Sequence, residues 1–165
     1  MPNSGLNSRN RPGPADSIDA RLLLALTGDP RATTIALAER TGVSRNTVQA
    51  RLNRWHDAGA LLPFDRRIDP GYLGYPLRAY VLTHVKQRRL GEVSAALREV
   101  PEVIEVHGLS GAADLLIQVV ARDADDLYRI AGRILGIKGV RRTSTSLVMR
   151  ELVDYRLAQL IRRDS

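Results

Sequence analysis

The chain has 165 residues, enough for one medium domain or two small ones, and its 44% hydrophobic and 26% charged residues suit a soluble globular protein. No apolar run approaches the roughly 18 residues that span a bilayer, so no membrane partner is expected. The absence of cysteine excludes disulfides and thiolate metal sites and fits a reducing cytoplasm. A net charge of +7 favours an acidic polymer as partner. Only Lys86 and Lys138 are lysine among the 25 basic residues, and such an arginine bias can also follow genome composition, so the placement of the cations counts for more than their total.

Residues 1–15 are rich in Asn, Ser, Pro, Gly and Arg, with Leu6 as the only large apolar side chain after Met1. That composition cannot offset chain entropy by burial and predicts a flexible tail; lacking an apolar core region, it is not expected to act as a secretory signal. From Asp16 the pattern is helical, with Ile18, Leu22 and Leu26 at every fourth position, until the glycine and proline of GDP at 28–30 stop it. A second helix is predicted over 34–41, capped by Thr33 or Thr34. It ends at TGVS, 41–44, where Gly42 can take positive φ, Val43 turns inward and Ser44 can cap a third helix running to about His56. Val48, Leu52 and Trp55 form the buried stripe of that helix. AGALLPF at 58–64 is predicted to turn into a short strand.

DPGYLGYP, 69–76, with two prolines and two glycines, is expected to be a hinge. After it the period changes. PLRAYVLTHV alternates as a strand, GEVSAALREV keeps a helical stripe of Val93, Leu97 and Val100, and VIEVHGLSG and DLLIQVVA make a hairpin. DADDLYRIAGRIL is a helix capped by Asp123, and VRRTSTSLVMREL alternates again. The order βαββαβ predicts a ferredoxin-like arrangement. DYRLAQLIR fits either a helix or an additional strand. The expected organisation is therefore a tail at 1–15, a helix-turn-helix domain at 16–66, a hinge at 67–76, a ferredoxin-like domain at 77–153 and a C-terminal segment at 154–165, an α+β fold overall.

Two short helices joined by a tight turn describe a helix-turn-helix, whose second helix enters the DNA major groove. At 100° per residue the outward face of the third helix carries Asn46, Gln49, Ala50, Asn53 and Arg54, with Arg45 and Arg51 flanking the buried stripe. Asn and Gln match adenine edges, and Arg matches guanine or phosphate. Residues 43–56 hold three arginines and no carboxylate, so the positive charge is expected to concentrate on this helix. The expected DNA-binding set is Ser44, Arg45, Asn46, Thr47, Gln49, Arg51, Asn53 and Arg54, and the partner is double-stranded DNA.

DSIDARLLLALTGDPR, LAERTGVSRNTVQARLNRWHDAGALL, DPGYLG, VHGLSGAADLLIQVVARD and GVRRTSTSLVMRELV come in an order that resembles the Lrp/AsnC family of transcription regulators. These are the leucine-responsive and asparagine-responsive, or feast/famine, proteins. The resemblance covers roughly residues 16–153. It implies a winged helix-turn-helix followed by a ferredoxin-like regulatory domain that dimerises and stacks into octamers, in a cytoplasmic, nucleoid-associated protein. It also implies a small effector, often an amino acid, bound between dimers near the turn that reads GLSGAADL. Gly111 and Asp114 are then effector candidates, the carboxylate receiving an α-amino group and the turn N–H groups a carboxylate. Thr143, Thr145 and Ser146 offer hydroxyls for an opposite wall. Three positions depart from the family's habit: Ala112 and Ala113 stand where a bulky residue is frequent, and Arg150 where an acid is frequent.

His56, His84 and His107 lie far apart without ligand spacing, so no metal is expected. GLSG lacks the glycines and strand–helix setting of a dinucleotide loop, and neither a nucleophile elbow nor paired carboxylates are evident, so neither cofactor nor catalysis is expected. The competing expectation is a small-molecule-binding regulatory subunit without a transcriptional role, against which the helix-turn-helix speaks.

Overall fold

The computed structural model describes residues 14–161. Nearly all of the predicted tail at 1–15 lies outside the described residues. The chain divides into two compact units, residues 67–152 and the residues on either side of them.

The first unit is built from three helices, α1 (Ser17–Gly28), α2 (Thr34–Thr41) and α3 (Arg45–Asp57). Each start is fixed by a side chain that satisfies an otherwise orphaned backbone N–H. Asp16 caps α1, Thr33 caps α2 and Ser44 caps α3. At α1 the cap is reciprocal: Asp16 accepts from the Asp19 N–H at 2.8 Å while Asp19 accepts from the Asp16 N–H at 3.3 Å. Leu22, Leu37, Val43, Val48 and Trp55 meet in the core, with Ile18, Leu26 and Leu52 packed around them. Gly42 has φ 66° and ends α2 in the left-handed region, which costs a glycine nothing and lets Val43 drop into the core.

The strand expected at 58–64 does not form, and no strand exists among the described residues of this unit. After α3 the chain instead closes on the helix: the Gly59 N–H donates to the His56 carbonyl at 3.1 Å and the Ala60 N–H to the Trp55 carbonyl at 2.8 Å. Pro63 then removes a donor that a strand would need, and a 3₁₀ turn follows at Phe64–Arg67. The wing that the family resemblance implied is thus missing from this stretch. The described part of DYRLAQLIR, 154–161, is neither α-helix nor strand but holds a single 3₁₀ turn, Ala158–Leu160. In the 69–76 segment Asp69 caps a 3₁₀ turn at Pro70–Leu73, and Gly74 leaves it with φ 88°.

The second unit has strands β1 (Leu77–Val85), β2 (Val103–Gly108), β3 (Leu115–Ala121) and β4 (Val140–Leu147) with helices α4 (Leu90–Arg98) and α5 (Ala124–Leu135). The sheet order is β2-β3-β1-β4 and every neighbouring pair is antiparallel, which is the ferredoxin-like βαββαβ arrangement. Ala79, Val81 and Val85 of β1 and Leu115, Ile117 and Val119 of β3 point to one face, where Val93 and Leu97 of α4 and Ile130 and Ile134 of α5 cover them. The alternate residues Tyr80, Leu82, Leu116 and Gln118 face the other way and stay partly or largely exposed. Near its start β4 slips: His84 pairs with Arg142 and Val85 with Val140, leaving Arg141 as the extra residue of a bulge.

One charged cluster braces this unit. Asp123 caps α5 and accepts from the Asp126 N–H at 2.8 Å. Asp126, whose side chain is 3% exposed, takes Arg122 on both oxygens at 3.1 Å and Arg129 at 2.6 Å. Arg129 also reaches Glu102 at 2.5 Å. These hydrogen bonds, Arg122 foremost, hold the Asp126 carboxyl far below the usual carboxylate range.

Candidate nucleic-acid interface and effector turn

The α3 face is set by the Ser44 cap at its start and by Trp55 near its end. Val48 and Trp55 are buried, so Arg45, Asn46, Gln49, Ala50 and Asn53 must point outward, and all five are exposed. Ser44 is occupied as the cap: its Oγ accepts from the Thr47 N–H at 3.2 Å and lies 2.9 Å from the Thr47 hydroxyl. Gln49 Nε2 donates to Asn53 Oδ1 at 2.9 Å, one turn further on. Among these residues the sole charge is Arg45, an exposed cation at the helix start.

Arg51 and Arg54 stand apart from the rest of the expected set. Arg51 Nη1 donates to Asp16 at 2.6 Å and to Asp19 at 3.0 Å, and Arg54 Nη2 donates to Asp19 at 2.5 Å. Asp19 is a carboxylate whose side chain is 2% exposed, so it needs these partners. The Asp19 N–H and the Arg51 guanidinium together hold the Asp16 carboxyl below its ordinary value. Two of the three arginines on α3 are therefore engaged by α1, and the expected concentration of positive charge on α3 is largely neutralised. Asp16 and Asp19 were missing from the sequence-based set. Their signal was present as an Asp-x-x-Asp at a helix start, but that pattern announces a cap and says nothing about a distant arginine.

In the second unit the Asp114 carboxylate is equally engaged. Oδ2 accepts from the Val85 N–H at 2.9 Å and Oδ1 from Gln87 Nε2 at 2.8 Å. Its own N–H donates to the Thr83 carbonyl at 3.0 Å, and its carbonyl accepts from the Leu109 N–H at 2.9 Å. Asp114 thus ties the β2–β3 turn to the end of β1, and the Val85 N–H, then Gln87, keeps its carboxyl below the ordinary range. Gly111 sits in the same turn with φ 135°, exposed and restricted to glycine. Thr143 and Thr145 lie opposite Thr83 and Val81, on the helix-facing side, whereas Ser146 lies opposite Tyr80 on the open side. The single wall expected from Thr143, Thr145 and Ser146 is therefore split between two faces by strand alternation. β1 also separates β4 from the turn, about 10 Å at two strand spacings.

Residues 16–55 match the AsnC-type helix-turn-helix domain and residues 78–158 match the Lrp/AsnC ligand binding domain. The HTH-type transcriptional regulator AldR of Mycobacterium tuberculosis is 32% identical over 146 residues, covering 86% of this chain and 82% of that protein. A proline dehydrogenase transcriptional activator of Rhizobium radiobacter is 33% identical over 141 residues, covering 83% and 90%. Among solved structures, AsnC of E. coli superposes with a TM-score of 0.78 at 25% identity over 88% of this chain and 99% of its own. A feast or famine regulatory protein of M. tuberculosis complexed with L-methionine gives 0.75 at 28% identity over 86% and 97%. With an α3 face built of amides and a ferredoxin-like second unit, the chain belongs to the Lrp/AsnC family of DNA-binding transcriptional regulators.

Proposed function

We propose that this regulator reads its operator through Arg45, Asn46, Gln49 and Asn53 in the major groove. Thr47 and Ser44 hold the helix start, and Arg51 and Arg54 hold the helix itself. The observation that carries this reading is an outward α3 face of amides and one free arginine, with no carboxylate before Asp57. Amides recognise adenine edges bidentately, each such contact discriminating by about 1–3 kcal/mol. Selecting bound fragments from the source genome and then measuring Asn46→Ala and Gln49→Ala on the preferred site tests it. Both variants are expected to lose preference for that site over random DNA. Parent-like discrimination by both would remove α3 as the reader.

This reading calls for a second copy of the chain, because one helix-turn-helix covers only about half a turn of duplex. The open sheet face with Tyr80, Leu82 and Leu116 is the surface a second copy would cover, and octamers would follow from further stacking. Monomers in light scattering at micromolar concentration would overturn the dimer. The effector is a small amino acid or a related metabolite at the turn of Gly111 and Asp114, a class supported by the methionine complex of the relative. Thr143, Thr145 and Ser146 on two faces of β4 are weaker contributors. A regulator acting on chromosomal DNA would do so in the cytoplasm, on the nucleoid.

A further inference from the structure

The cations that α3 lacks are found elsewhere. Lys86, Arg88, Lys138, Arg141 and Arg142 are all exposed, and among the described residues none pairs with an acid. The fold gathers them at one end of the sheet. The Lys86 N–H donates to the Gly139 carbonyl at 2.8 Å, which brings the end of β1 beside the approach to β4. Gly139, at φ 111°, lies so close to Arg89 that a Cβ added there would sit 3.0 Å from the Arg89 Cβ, so the turn at 87–89 packs on the same spot. Arg142 faces His84 across the strands, and Arg141 is pushed out by the bulge. Arg141 and His84 are close enough to Asp114 for their charge to help lower its carboxyl.

The nearby acids do not cancel this field. Glu92 is paired with Arg89 at 2.9 Å. Asp114 already holds an N–H donor on each oxygen, which commits its carboxylate to holding the turn. From these two observations, an engaged acid and a rim of unpaired cations, we infer that the effector taken at this turn carries two acidic groups. It is a dicarboxylate or an acidic amino acid, or a phosphate ester with the same charge, held by the forked donors of Arg141 and Arg142. Asp114 shapes the turn and does not receive an amino group. This rests on the reading that an effector binds at the Gly111–Asp114 turn.

Calorimetric titration of the full-length protein at constant ionic strength tests it, with succinate, L-glutamate, inorganic phosphate and L-methionine as probes. The first two, or phosphate, are expected to bind at least tenfold more tightly than L-methionine. Succinate against L-glutamate tells whether an ammonium adds anything, and phosphate tells whether the anion must be a carboxylate. Arg141→Gln with Arg142→Gln should weaken the dianion at least tenfold, and Arg141→Lys with Arg142→Lys should restore part of it. Asp114→Asn should bind the dianion at least as tightly as the parent, since it removes a repelling charge. If the glutamine pair fails to fold, the lysine pair and Asp114→Asn still decide. L-Methionine binding alone, weakened by Asp114→Asn, overturns the inference and leaves an effector at the turn. No heat from any probe overturns both.

Discussion

Helices α1 and α5 open in the same way and use it differently. Each begins with Asp-x-x-Asp: Asp16 and Asp19 in α1, Asp123 and Asp126 in α5. In both, the first aspartate caps the helix and the second is almost fully buried with two arginines on it. At α5 the arginines are Arg122 and Arg129, four residues before and three after, so the cluster closes on its own helix. At α1 they are Arg51 and Arg54, 32 and 35 residues away on α3. One device serves as a local brace in the regulatory unit and as a long-range latch in the DNA-reading unit. A capping acid becomes a tertiary contact only when a second helix supplies the cations.

The contrast is broken most directly by removing the buried acid in each unit. Asp19→Ala strips Arg54 of its acid, leaves Arg51 with Asp16 alone and loosens α1 from α3. It should cost about 3 kcal/mol, toward the lower end for a broken buried pair because Arg54 is 46% exposed. Asp126→Ala should lower the melting temperature of its unit by less, since its arginines Arg122 and Arg129 are 61% and 49% exposed whereas Arg51 is 20% exposed. Calorimetry that found equal shifts would erase the distinction between latch and brace.

The next effect concerns DNA. Arg45→Ala should reduce the slope of log affinity against log salt by about 0.9, as one lost phosphate contact. Arg54→Ala should leave that slope unchanged while lowering thermal stability, because its guanidinium is held by Asp19. Equal loss of slope in both would return Arg54 to the duplex.

The smallest effect is the pH response. The Asp126 carboxyl is depressed in the folded state, so its contribution is present above the unfolded carboxylate value near pH 4 and is lost as pH falls toward the lower folded value. Asp126→Asn should therefore flatten the loss of stability below about pH 4 in urea titrations. A curve as steep as the parent's would assign the acid limb to other carboxylates.

Element order was legible because each signal was local. Caps at Thr33, Ser44 and Asp123, the glycine at 42 and the shift from period 3.6 to period 2 after the hinge all act within a few residues. The outward face of α3 followed from the buried stripe for the same reason. The misplaced strand at 58–64 shows the limit: apolar Leu61 and Leu62 suggest a strand, but a strand requires a partner, and partners are not local. The engagement of Arg51, Arg54 and Asp114 was hidden for that reason too, each depending on a group from another element. The split of Thr145 from Ser146 could have been read from strand alternation alone.

The bond between Gln49 and Asn53 has a consequence for how a recognition code is written. With Gln49 Nε2 given to Asn53 Oδ1 and Gln49 Oε1 within 3.5 Å of the Thr34 hydroxyl, the two amides are fixed relative to each other and act as a single sign. Neither residue then spells a letter alone. Changing either reorients the other, so single substitutions would blur the same base position and their effects would not add. Retargeting such a reader to a new operator would take paired changes, and drift through single steps would pass through variants that read poorly everywhere.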